Sequence, residues 1–307
     1  MPRSFALIVS VLAVILFSAC AEVQNVRIEP RQGFSEAPVV DGNYWKKGAI
    51  ALKAGAQNDF GRQSEQLLLQ TLIETIDRQA DRLRLLPPDD NQSPDFMKLA
   101  NPFADPQSAF EFHKKARMQG FHCLLQTSVL DIRPVEKKKG IWWFRGIKYY
   151  LNVVVSLDLY DTFTAAKISS QVMEALVKIN SAAYEDYQAG IPNNIEAVDE
   201  AIVDMAQEMG ELAAEQIDAG RWMAVVAAVQ ERQVRLAAGS DAGLEEGDRL
   251  AVFEGQRIAD GLNGEKFIVP GYKLADIEIV AVEANSATAQ SEVPAVIRPG
   301  DIAIPAE

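Results

Sequence analysis

The chain has 307 residues, 48% hydrophobic, 24% charged and 8% aromatic, with 30 Lys+Arg against 43 Asp+Glu and a formal net charge of -13. This composition buries ordinary cores and excludes an intrinsically disordered chain, and the length corresponds to about two domains. So acidic a surface repels nucleic acid, which is excluded as a partner, and repels anionic headgroups except where basic residues cluster.

Residues 1–19 have the layout of a secretory signal peptide: Arg3 gives a positive start, Phe5 to Ala19 is apolar except for two serines, and small Ser18 and Ala19 precede Cys20. The apolar run falls short of the ~20 residues that comfortably span a bilayer, which favours removal over an uncleaved anchor, the competing reading. "FSAC", 17–20, resembles the lipobox of bacterial lipoproteins, with Phe17 where Leu is usual. The resemblance implies that Cys20 is the acylated first residue of the mature chain. Acyl chains at ~0.8 kcal/mol per buried methylene then give a membrane anchor. The same resemblance implies that Ala21, a residue other than Asp, directs the protein to the periplasmic face of the outer membrane. Only Cys123 remains beside Cys20, so an intramolecular disulfide is not expected.

Residues 20–44 carry Pro30, Gly33, Pro38 and Gly42 without sustained periodicity and read as a lipidated tether, which reaches ~80 Å at ~3.3 Å per residue. From Trp45 the pattern sharpens. "GAIALKA", 48–54, alternates as a strand, and Leu69, Leu72, Ile73, Ile76 and Ala80 then recur at helical spacing. "RLRLLPP", 82–88, is a short strand stopped by prolines, 89–106 is a loop, and a helix over about 108–118 closes at Gly120. A long strand over 121–134 ends at Pro134. Tyr149, Leu151, Val153, Val155, Leu157 and Leu159 alternate in the next, and the segment after the 162–166 turn pairs back as a hairpin.

The expected first domain, 45–221, is therefore an α/β (α+β) sandwich with helices on one face of a mixed sheet and an extended β-hairpin. Its last helix, 193–220, has Asn193 as cap with Glu196 three residues on, an apolar stripe at three-four spacing, and Gly220 at its end. That stripe reads as packing on the preceding sheet or as a seam between molecules. Residues 222–307 change to short strands and tight turns, with Gly247-Asp248 and Gly300-Asp301 each entering an apolar run. They form a small all-β barrel-like domain.

No phosphate loop, dinucleotide fingerprint, nucleophile elbow or zinc-protease helix is present in the sequence. His113, His122 and Cys123 lack the spacing of a structural zinc site. His122 and Cys123, as neighbours on a strand, point to opposite faces and are read as one in the core and one at its edge. Acidic pairs such as Asp89-Asp90 and Glu245-Glu246 sit in turns, where carboxylates are solvated. No enzyme, cofactor or metal is expected.

The exception is the tip "EKKKGIWWFRGIKYY", 136–150, where Lys137, Lys138, Lys139, Trp142, Trp143, Phe144 and Arg145 put positive charge and large aromatics on an acidic protein. Three readings compete: aromatics folded back on the domain with solvated lysines, a docking loop for a protein neighbour such as another copy, or a membrane or cell-wall contact.

"GAIALKA" with its helix, and "ARMQGFHCLLQTSVLDI" followed by "YYLNVVVSLDLYDTFTAAKI", resemble the N-terminal domain of the translocation protein TolB. The curli secretion lipoprotein and flagellar assembly protein T share that module. "VRLAAGSDAGLEEGDRLAVFE" resembles the β-rich C-terminal domain of flagellar assembly protein T. The resemblance implies a non-enzymatic periplasmic assembly protein with protein partners, in the flagellar case an accessory ring of the motor, in which other copies of the chain are partners. It departs from flagellar assembly protein T in lacking a folded N-terminal domain and in carrying a lipobox. The alternative is a regulatory outer-membrane lipoprotein that activates a cell-wall synthase or assists secretion.

Overall fold

The computed structural model describes residues 32–40, 42–53, 59–88, 105–139, 146–191 and 195–306. Residues from Gln32 onward form one compact unit in which an α/β sheet layer and a β-barrel share a seam.

The sheet layer opens with β1 (Lys46–Leu52), α1 (Asp59–Gln79), β2 (Leu83–Leu86), α2 (Pro106–Met118) and β3 (Cys123–Lys139). It continues with β4 (Gly146–Asp161), β5 (Ala166–Ile179), α3 (Ser181–Gln188) and α4 (Glu196–Ala219). The strand order is β2-β1-β3-β4-β5, with β1 parallel to both β2 and β3 and the rest antiparallel. This is a mixed sheet with a long hairpin.

The helices do not share one face, as the sequence suggested. α1 and α4 cover the face that presents Ile50, Leu125, Leu151, Val153, Leu157 and Leu159. Phe112 and Ala116 of α2 instead pack on Ala49, Leu86, Phe121, Leu124 and Tyr160, the opposite face. Handedness explains the difference: the crossover from β1 to β2 and the crossover from β2 back over β1 to β3 run in opposite directions, so two right-handed connections lie on opposite faces.

α4 packs on β4, β5 and α1 through Val198, Ile202, Met205, Met209 and Ile217, so its stripe faces its own core. It meets α1 closely at Gly210, where a Cβ would lie 2.9 Å from Thr75 Cβ and Cγ2. Its N-cap position is Ile195, without a side-chain cap, and Asn193 lies outside the described residues. At the other end Lys46 Nζ donates to the carbonyls of Ile217, Asp218 and Gly220, so a cation satisfies the last orphan acceptors.

β3 runs past Pro134, where the sequence suggested a stop, and pairs with β4 as far as Lys139↔Gly146. β1 accompanies β3 only to Thr127, so beyond that point one edge of β3 has no ladder partner among the described residues and a residue without an N–H is tolerated.

The second layer is a closed antiparallel barrel in the order β11-β12-β7-β6-β13-β8. Its strands are β6 (Ala224–Gln230), β7 (Gln233–Leu236), β8 (Arg249–Phe253), β11 (Lys273–Val282), β12 (Ala287–Ser291) and β13 (Ile302–Pro305). β9 (Arg257–Asp260) and β10 (Lys266–Val269) form a separate hairpin, tied to the sheet layer where Ile268 N–H donates to the Thr164 carbonyl at 2.9 Å. Closure removes free edges, and Val226, Val234, Leu236, Leu250, Val252, Ile277 and Ile279 fill the interior.

Arg117, at the end of α2, is 3% exposed and spans the seam. Its guanidinium donates to the carbonyls of Gly255, Gly300 and Phe163. Trp222 Nε1 donates to the Trp45 carbonyl at 3.1 Å, and its ring stacks on Tyr44 at 4.6 Å.

Within the segment expected to be tether, residues 32–37 are docked on the barrel. Gly33 bridges Tyr272, Phe34 meets the Phe253 ring edge-on at 5.4 Å, and Ala37 is buried. The Arg221 guanidinium lies 4.8 Å from the Phe34 ring centroid and donates to the Phe34 and Ala37 carbonyls.

Candidate docking hairpin

The β3–β4 hairpin is built by period-two patterning. Leu151, Val153, Val155, Leu157 and Leu159 point into the core, and the ladder runs from Cys123↔Asp161 outward. α3 braces its outer part. Asn180 Oδ1 caps that helix by accepting the Ala183 N–H at 2.8 Å, which sets Tyr184 4.5 Å from Tyr149, ring to ring.

Beyond Tyr149 the ladder leaves the core. Its outer pairs are Lys137↔Lys148, Lys138↔Ile147 and Lys139↔Gly146. Lys137, Lys138 and Lys148 are exposed, and Ile147 is 50% exposed. The Lys137 ammonium lies 5.8 Å from the Tyr150 ring centroid. The structure thus brings Lys137 and Lys138 together with Lys148 and Ile147 at the hairpin's end and places Lys139 on the last ladder pair. Trp142, Trp143, Phe144 and Arg145 lie outside the described residues, as does Cys20.

Opposite charge lies on α4. Its exposed side carries Glu196, Glu200, Asp204, Glu208, Glu211, Glu215 and Asp218, and the helix contains no basic residue. Glu196, Glu200, Asp204 and Glu208 follow one another at four-residue spacing, where like charges cost ~0.2–0.5 kcal/mol per pair.

Cys123 is buried in the sheet core, and burial pushes its thiol up to about 12, so it is a protonated apolar filler. His122 is buried on the opposite face, 5.4 Å from the Phe163 ring and 6.1 Å from the Trp222 ring, at the seam rather than at an exposed edge. Burial, with the Lys46 charge nearby, lowers it to about 3. His113, tilted 5.0 Å from Tyr160, is lowered by burial to about 4. Among the described residues no group of His, Cys, Asp and Glu is placed to hold a metal ion, and no helix is long and apolar enough to cross a membrane.

The sequence matches no protein-family model and no curated protein. Several solved structures are similar in part. A minor lipoprotein of Acinetobacter baumannii is 14% identical at a TM-score of 0.30, covering 56% of this chain and 94% of its own. A PelC dodecamer of Paraburkholderia phytofirmans is 14% identical at a TM-score of 0.30, covering 60% and 94%. Lipoprotein GNA1162 of Neisseria meningitidis is 11% identical at a TM-score of 0.29, covering 48% and 94%. Likenesses of this size assign nothing to the chain.

Proposed function

We propose that this protein is a lipid-anchored structural or assembly factor of the bacterial envelope that acts by protein–protein binding, with the β3–β4 hairpin as its docking element. The observation that carries this reading is the end of the hairpin, where three exposed lysines and Ile147 project from a braced ladder on a protein of net charge -13. Lys137 and Lys148 are directly opposite, an arrangement that costs the free hairpin stability and is relieved when an acidic partner covers it. The carboxylate side of α4 on another copy offers such a partner surface.

Acyl groups on Cys20 hold the chain under the outer membrane, and Trp142 and Trp143 complete the contact. The resemblance to the flagellar assembly protein makes an accessory ring of the flagellar motor the setting, with no catalysis and no cofactor. Two variants test the reading: Trp142→Ala with Trp143→Ala, and Lys137→Glu with Lys138→Glu. Each should lose recruitment to the motor, seen as a missing ring density in images of the cell envelope, while melting as the parent does. Retention of the ring by both would overturn the docking assignment. Pull-down of cell-wall synthases in place of basal-body proteins would move the protein to the regulatory class.

A further inference from the structure

β5 is the outermost strand of the sheet, and its far edge has no ladder partner among the described residues. At 14 residues it exceeds the ~3–10 of most strands. Proteins guard such an edge with a proline, a bulge, a cover or a very short strand. In β5 the one register shift falls near its start, opposite Leu159 and Tyr160, and residues 170–179 contain neither proline nor glycine. Val172 is 62% exposed and Leu176 42%, so this stretch is open to solvent.

The backbone there is aimed outward at every second residue. The Thr127 carbonyl faces β1, where it accepts the Lys53 N–H at 2.8 Å. Alternation then turns Ser128 to β4, Leu157 of β4 to β5, and Gln171 of β5 back to β4, through the pairs Ser128↔Ser156 and Leu157↔Gln171. Val172, Glu174, Leu176 and Lys178 therefore point their N–H and C=O groups to the free edge. Their side chains share the face opposite α1 and α4, and all four are exposed.

Along that edge an apolar residue, Leu176, has an acid two residues before it and a base two residues after it. An antiparallel copy of the same strand, related by a two-fold axis at Leu176, meets it in register. Leu176 then faces Leu176, and Glu174 faces Lys178 on both sides of the axis. On the other face Ala175 meets Val177 and Met173 meets Ile179, so the half-buried Met173 and Ala175 at the border of the core gain apolar neighbours. Neighbouring registers lose this match. An axis at Ala175 sets Glu174 against Leu176, and one at Glu174 sets the carboxylate against its own copy.

We propose that the β5 edge is a self-complementary interface through which two copies of this chain join their sheets by antiparallel β5–β5 pairing about Leu176. The contact is isologous: each copy gives the same backbone groups and the same ion pair that it receives. It draws on neither the hairpin lysines nor the carboxylates of α4 and stands whether or not the docking reading does.

The test is sedimentation of the full-length protein in density-matched detergent over a concentration series, where a reversible dimer is expected. Glu174→Lys should weaken it about tenfold or more, and Glu174→Lys with Lys178→Glu, which restores opposite charge across the axis, should recover it. Both positions are exposed, so each variant should melt as the parent does. Mild oxidation gives a second readout. Leu176→Cys lies on the axis, with Cα atoms ~5.5 Å apart in the pair, and should yield a covalent dimer. Val172→Cys, at the more exposed position, should not, because in this register it faces Asn180. A protein that stays monomeric, a dimer indifferent to Glu174→Lys, or equal cross-linking at both positions would overturn the proposal. So would a dimer lost in Lys148→Glu but kept in Glu174→Lys, which would place the contact at the hairpin.

Discussion

Lys137 and Lys148 stand opposite each other across the outer part of the β3–β4 ladder, two like charges at one register position. Lys148→Glu would turn this repulsion into attraction and stabilise the protein by ~0.2–1 kcal/mol. The same change should abolish docking, so stability and recruitment move in opposite directions. Urea unfolding beside a recruitment assay reads both, and a loss of stability would show that Lys148 is held by contacts within its own chain.

Arg117 fastens the sheet layer to the barrel. Arg117→Met keeps much of the packing over Phe163 but leaves the Gly255 and Gly300 carbonyls without their donor. A cost of about 3 kcal/mol or more follows from those unmet acceptors. Denaturant unfolding should show a lower midpoint, with the barrel and sheet signals separating. A single unshifted transition would show that the seam holds without the guanidinium.

The two histidines set an acid limit. Both are lowered in the folded state, His113 to about 4 and His122 to about 3, so between those values and about pH 6.5 the unfolded chain binds more protons. Their contribution is complete above about pH 6.5 and is lost as pH falls toward 4, on the order of 3 kcal/mol for each. Asp161 and Asp301, raised chiefly by burial, act in the opposite sense and favour the fold as pH drops through their elevated range. His113→Phe should flatten the fall in urea midpoint between pH 6.5 and 4.5, and an unaltered slope would refute this origin.

Gly210 sets the spacing between α1 and α4. Gly210→Ala forces the Thr75 side chain or the helices to move, at a cost of about 1–3 kcal/mol, although alanine is the better helix former. Thr75→Ser, which removes Cγ2, should recover part of that loss in a double-mutant cycle. Simple additivity would place the strain elsewhere.

The element order could be read from the sequence because period two and period 3.6 are local signals. Leu151 to Leu159 and Val198 to Ile217 show their buried sides without a partner. The face that α2 covers could not be read that way, since it depends on strand order and crossover hand. Pro134 suggested a strand end because it offers no N–H to a ladder, yet β3 continues past it paired with β4. The basic hairpin was visible as a run of lysines. The adjacency of Lys47 to Arg84 and His122 was hidden because register, not spacing, assembles it. In the sequence Lys47 stands beside Lys46, just ahead of the apolar run that opens at Gly48.

The docking of Gln32 to Ala37 on the barrel decides where force on the preceding chain would be felt. A pull on the chain ahead of Gln32 would enter through the Gly33 bridge to Tyr272 and the Arg221 contacts with Phe34 and Ala37, at the barrel. The sheet would be shielded from that pull, and the hairpin could keep its aim while the barrel carries the tension.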